Sequence, residues 1–187
     1  MNPQLQELAR DVIDQEALRP ESIPMIELYM DQVTTLLDRE LGHTKRGSDD
    51  KIMTKTMINN YSKEKLLPPS NKKKYTRHHI LLLALIYEFK QVLSIQDIHR
   101  LLDPLIGNEE ALESFYQTYQ EKHREQRALL ASALESDDSE DLRQIASTLA
   151  TRAALESRLA ERLLDAIAEE ENALKEASSS EKESSDK

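Results

Sequence analysis

The sequence predicts an all-α fold, on three observations. Apolar residues recur three and four positions apart along most of the chain, the period of one helix face. Only three glycines are present, too few for the tight turns of a β-rich fold. Pro20, Pro68, Pro69 and Pro104 fall where the periodic segments stop.

Residues 4–18 read as a weak opening helix, with Leu5, Leu8, Val12 and Ile13 on one side and Pro20 closing it. Ser22 can cap a second helix with Pro24 in its first turn, where a missing N–H costs nothing. Its apolar stripe runs from Ile26 through Tyr29, Val33 and Leu37 to about Leu41, and a polar loop follows over 42–51. Thr54 and Lys65 bracket a short helix that Pro68-Pro69 stop, because proline supplies no donor and disfavours helix at the residue before it. Residues 66–75 are then extended or turn. Thr76 can cap a strongly apolar helix over 77–92, and Ser94 another over 95–102.

Beyond Pro104 and Gly107, helices are predicted over about 109–134 and 139–175. Leu112, Phe115, Tyr116 and Tyr119 form an aromatic stripe read as core packing in preference to an effector pocket. The acids at 136–141 read as the start of the last helix, where negative charge suits the dipole. A heptad started at Leu142 puts Arg152 and Glu156 on its seam, leaving an apolar stripe to dock on the body or a second subunit. From Ser178 the chain is low in complexity, charged and too poor in apolar residues to order itself. The expected organisation is an N-terminal helical extension at 1–21, a DNA-binding domain at 22–104, a helical dimerisation or partner region at 105–176, and a disordered acidic tail at 177–187.

The absence of cysteine excludes disulfides, thiolate metal sites and cysteine nucleophiles. The most apolar run, residues 80–87, is far short of the ~20 residues that span a bilayer. No N-terminal segment reads as a signal peptide, so a cytoplasmic protein without membrane contact is expected. Five histidines (His43, His78, His79, His99, His123) show no pair at metal-ligand spacing. His78 and His79, in the first turn after Thr76, are within reach of a backbone phosphate. No phosphate loop, dinucleotide fingerprint or nucleophile elbow occurs. No cofactor, metal or catalytic residue is therefore assigned.

Charge singles out one stretch. Residues 51–79 hold eight lysines and arginines against one acid, Glu64, within a chain of net charge −10. On a helical wheel over 54–65, Met57, Ile58 and Tyr61 gather on one side. Lys55, Thr56, Asn59, Asn60 and Lys63 fill the other. Asparagine can bond adenine N6 and N7 together, lysine reaches guanine acceptors or phosphate, and threonine offers a hydroxyl and a methyl. Two adjacent asparagines are poor helix formers, so a merely solvated face would favour other residues. Lys72, Lys73, Lys74, Tyr75, Thr76 and Arg77 follow in a run whose consecutive lysines repel one another and gain most by facing a polyanion.

The stretch MINNYSKEKLLPP, followed after a short basic loop by YTRHHILLLALIYEFKQVLSIQDIHRLL, resembles the DNA-binding module of MerR-type regulators. That module has a reading helix, a Leu-Leu-Pro-Pro exit into a wing, and a helix pair joined by a small polar turn. On this resemblance Ile58 and Tyr61 take the apolar positions of the reading helix, Asn59 and Asn60 stand where Arg and Tyr are usual, and the wing falls on 68–75. Residues 22–102 also resemble the YkrK-like bacterial family of unknown function, through the opening at 23–33 and Lys73 to Arg77. The resemblance implies a MerR-like winged helix-turn-helix with a short wing, plus C-terminal helices.

The expected function is a sequence-specific DNA-binding transcription regulator of bacterial type. Thr56, Asn59, Asn60 and Lys63 would approach bases. Lys55, Lys72, Lys73 and Lys74 would neutralise phosphates with Tyr75 beside them, and Arg77 and His78 would clamp backbone near the wing. Double-stranded DNA is the expected partner, bound by a homodimer that doubles the few contacts of one short module. The rival class is a non-enzymatic adaptor whose basic face binds an acidic protein. An enzyme using one of the histidines is a third class.

Overall fold

A computed structural model describes the backbone over residues 3–135 and 141–185, with side chains described over 5–135 and 141–174. Seven α-helices and one two-stranded antiparallel sheet are present among the described residues. The helices are α1 (Pro3–Ile13), α2 (Met30–Leu41), α3 (Lys55–Lys63), α4 (Arg77–Phe89), α5 (Ile95–Leu102), α6 (Glu109–Glu135) and α7 (Leu142–Ser185). The strands are β1 (Leu28–Tyr29) and β2 (Lys74–Tyr75), with Leu28 opposite Tyr75 and Tyr29 opposite Lys74.

The strands correct the all-α reading and the second predicted helix together. Ser22 caps nothing: it sits in a single 3₁₀ turn over Pro20–Ser22, and its hydroxyl donates to the Arg19 carbonyl at 2.8 Å. The backbone extends beyond it and spends Leu28 and Tyr29 on the ladder, so α2 begins only at Met30. There the Gln32 side chain accepts the Tyr29 N–H at 2.8 Å, satisfying one of the open donors of a helix start. The opening helix is also shorter than expected and ends at Ile13.

Local caps set the other starts where the sequence put them. Thr54 Oγ1 accepts the Met57 N–H at 3.2 Å, and Ser94 Oγ accepts the Asp97 N–H at 3.1 Å. α4 stops at Phe89, three residues early. α7 continues to Ser185, past residue 175 where the predicted helix ends and into the run from Ser178 expected not to order itself, which is rich in serine, glutamate and lysine and lacks glycine and proline. The predicted helix start at 136–140 lies outside the described residues.

One large core surrounds α4, in which nine consecutive residues from His78 to Ile86 are buried. A helix apolar all round is the central post of a bundle, covered on every side. α2, α3, α5 and the first half of α6 supply the cover, and the cluster runs from Leu18 to Tyr116. Tyr116 is fully buried, and its hydroxyl donates to the Leu18 carbonyl at 2.8 Å. Phe115 and Tyr119 pack against the same core. A second, small cluster joins Leu5 and Ala9 of α1 to Leu134 of α6 and Ile145 of α7. No helix among the described residues is long and apolar enough to cross a membrane.

Candidate nucleic-acid interface

α3 divides as its sequence periodicity requires. Ile58 and Tyr61 are buried and Met57 half-buried, while Lys55, Thr56, Asn59, Asn60 and Lys63 are all exposed. The helix ends in a Schellman turn. The Lys65 N–H reaches the Ser62 carbonyl at 3.2 Å, and the Leu66 N–H reaches the Tyr61 carbonyl at 2.9 Å. Lys65 takes the left-handed position of that turn at φ 59°, where glycine is usual. Leu66 and Leu67 then plunge into the core, so the Leu-Leu-Pro-Pro exit is an anchor.

The chain next folds into a tight hairpin. Asn71 bridges Lys74, the Lys74 N–H donates to the Asn71 carbonyl at 2.9 Å, and the two tip residues are Lys72 (φ 48°) and Lys73 (φ 62°). Positive φ at both central residues defines a type I′ turn, whose preferred sequence is Asn-Gly. Each lysine there costs about 1–2 kcal/mol of backbone strain. Both side chains are exposed at the tip.

His79 ties the two feet of this hairpin together. Its Nδ1 accepts the Thr76 N–H at 3.2 Å, and its Nε2 lies 3.1 Å from the Pro68 carbonyl. Nε2 therefore carries the proton and donates, and the ring is neutral. The Tyr75 ring meets it edge-on, with centroids 5.4 Å apart. Burial pushes His79 below the usual histidine range. Placed near phosphate by its sequence position, His79 is instead a structural staple.

α3 and the hairpin both lie beside one acidic segment. Lys55 is ion-paired to Asp31 in the first turn of α2. Lys74 lies 3.7 Å from Glu27 and over the Tyr29 ring. Glu27, Tyr29 and Asp31 are alternate residues of one stretch, so both basic elements converge on it. These pairs are solvent-exposed and worth at most about 1 kcal/mol each. The acids were not singled out by sequence, because nothing local marks Glu27 or Asp31 as partners of residues 24 to 47 positions away.

Three assigned residues lie elsewhere. Tyr75 is buried in the core through its place in β2. Arg77 donates through Nε to Glu113 at 2.8 Å and through Nη1 to the Pro20 carbonyl at 2.5 Å, so within the chain it braces α4 against α6. His78 is buried, and its Nε2 accepts the Gly107 N–H at 3.3 Å. Gly107, at φ 82°, makes that approach in a conformation other residues resist. Burial pushes His78 below its usual range, with Glu109 and Glu113 opposing. The cavity beside these residues, about 470 Å³, also gathers Glu27 and Glu110, a charge that repels phosphate. No group of three His, Asp or Glu side chains among the described residues is placed to hold a metal.

Residues 18–121 match the family model for a domain of unknown function (DUF1836), which takes in the large core and the basic face alike, and the chain belongs to that family. No curated protein and no solved structure matches it.

Proposed function

We propose that this member of the DUF1836 family binds duplex DNA through α3 and the Lys72-Lys73 hairpin, as a MerR-like winged helix-turn-helix in a transcription regulator. One observation carries the reading: two consecutive lysines occupy both left-handed positions of a tight turn, where Asn-Gly would relieve the strain. Strain kept at an exposed tip points to a use for the side chains it displays. The two ammonium groups there form a sequence-blind contact for phosphates.

The exposed face of α3 supplies the complementary half. Thr56, Asn59, Asn60 and Lys63 offer donors, acceptors and a methyl of the kinds that read base edges, with no acid among them. Lys55 flanks them and exchanges Asp31 for a phosphate. These are binding groups, and the role proposed for them is non-enzymatic. Two copies on a twofold site would double the small set of contacts.

The rival reading, an adaptor for an acidic protein, takes its support from the carboxylates of Asp31 and Glu27 already resting on Lys55 and Lys74. Selection of the full chain against random duplexes separates the two. DNA binding should enrich a common sequence, and affinity should fall with salt at a log–log slope of about −0.9 per phosphate neutralised. An absence of duplex binding at low salt, where non-specific affinity is greatest, would remove the DNA reading.

A further inference from the structure

Glycine is usual where Lys65 stands, at the left-handed residue that closes α3. Among the described residues three positions other than glycine hold a positive φ, and all three are lysines: Lys65, Lys72 and Lys73. The last two form the hairpin tip. Lys65 lies outside the hairpin, at the helix exit, with its side chain exposed. A cation near a helix C-terminus gains from the dipole, but a lysine on ordinary helical backbone takes that gain without strain, as Lys63 does in the last turn. The dipole therefore does not explain a lysine at the strained position itself.

A second cation reaches the same turn from another helix. Lys90, the C-cap of α4, sets its ammonium 5.9 Å from the centroid of the Tyr61 ring, in the last turn of α3. Lys90 is exposed as well. Neither lysine forms an ion pair, although Glu64 and Glu88 lie close by in sequence. Lys55, Lys74 and Arg77 by contrast each rest on a carboxylate of the chain. The length of α4 sets the two exposed basic sites apart. The hairpin joins its first turn through Thr76 and His79, and Lys90 follows its last residue, a separation of about 20 Å at about 1.5 Å per residue. Phosphates recur every ~3.4 Å along one strand, so the interval is about six steps and no phosphate serves both sites.

We propose that Lys65 and Lys90 form a second phosphate grip on duplex DNA, at the C-terminal end of α3 and distinct from that of the hairpin. The grip rests on the DNA reading above. Its test is fluorescence anisotropy of an end-labelled duplex of about 30 base pairs and arbitrary sequence, titrated with the full chain between about 50 and 200 mM salt. Lys65→Gly and Lys90→Gln should each lower affinity by about tenfold at the lower salt and flatten the log–log slope by about 0.9. Lys65→Gly should at the same time raise the urea unfolding midpoint, because glycine relaxes the turn, so its lost affinity is not lost folding. Lys90→Arg should keep the slope. Added to Lys72→Ala and Lys73→Ala, the losses should sum, as for sites that share no phosphate. A chain that binds the duplex with its slope unchanged by Lys65→Gly and Lys90→Gln overturns the grip and leaves the DNA reading standing. Losses that fail to sum overturn its separateness from the hairpin. Absence of duplex binding by the unaltered chain at low salt removes the DNA reading and the grip together.

Discussion

Lys72 and Lys73 stand only four to six residues from Arg77 and His78, and sequence charge treats the four alike. Their surroundings do not. The lysines sit at the tip of a two-residue turn with their side chains in solvent, while Arg77 and His78 enter the first turn of the most buried helix in the fold. Arg77 finds Glu113 and the Pro20 carbonyl, and His78 finds the Gly107 amide. A basic run is therefore not one surface. Its charge is divided by the element each residue joins, and the division falls at Lys74, which is half-exposed and paired to Glu27.

The largest expected effect tests the exposed side of this contrast. Replacing Lys72, Lys73 and Lys74 by alanine should weaken binding to every duplex and flatten the salt slope by about 1.8–2.7, at about 0.9 per phosphate. The lower figure applies if Glu27 keeps Lys74, in which case the Lys72/Lys73 double variant should match the triple one in a salt titration. Asn59→Ala should cost about 1–3 kcal/mol on the preferred sequence and little on others, read from competition binding.

Arg77→Ala should do the reverse. Its part-buried ion pair and carbonyl contact make a loss of about 1–2 kcal/mol in urea unfolding reasonable, with the salt slope unchanged. A shifted slope would break the distinction between the two groups. Lys72-Lys73→Asn-Gly sharpens it from the other side. Folding should strengthen by about 1 kcal/mol as the turn relaxes, while duplex affinity falls.

The smallest effect is that of pH. His78, His79 and His123 are all pushed below their usual range, chiefly by burial, so the unfolded chain binds more protons than the folded one below about pH 6.5. Stability should be full above that pH and fall as pH drops through it. Glu88, raised by burial, works in the opposite sense. Thermal unfolding at pH 5.5 and 7.5 measures the balance, with the lower midpoint expected in acid.

What the sequence made legible was local. Thr54 and Ser94 announce α3 and α5 because a cap and a 3.6-residue period are both written within a few residues, and the same wheel separates the buried from the exposed face of α3. The β1–β2 ladder was hidden, because two-residue strands have no period to display and their partners lie 45 or more positions apart. The Lys72-Lys73 turn was hidden for a different reason: its residues contradict the Asn-Gly code by which such turns are recognised. The intramolecular partners of Arg77 and His78 were hidden because Glu113 and Gly107 lie far along the chain.

The buried length of α4 has a further consequence during synthesis. This helix leaves the ribosome before α6, whose Leu112 and Tyr116 help to close the core around it. Until that later segment emerges, the run from Ile80 to Tyr87 has no complete cover, and it is the most apolar stretch of the chain. Chains released before about residue 119 would expose it to one another and to chaperones. The nascent protein thus passes through an interval of greatest vulnerability that closes when α6 arrives, well before the ribosome reaches the end of α7.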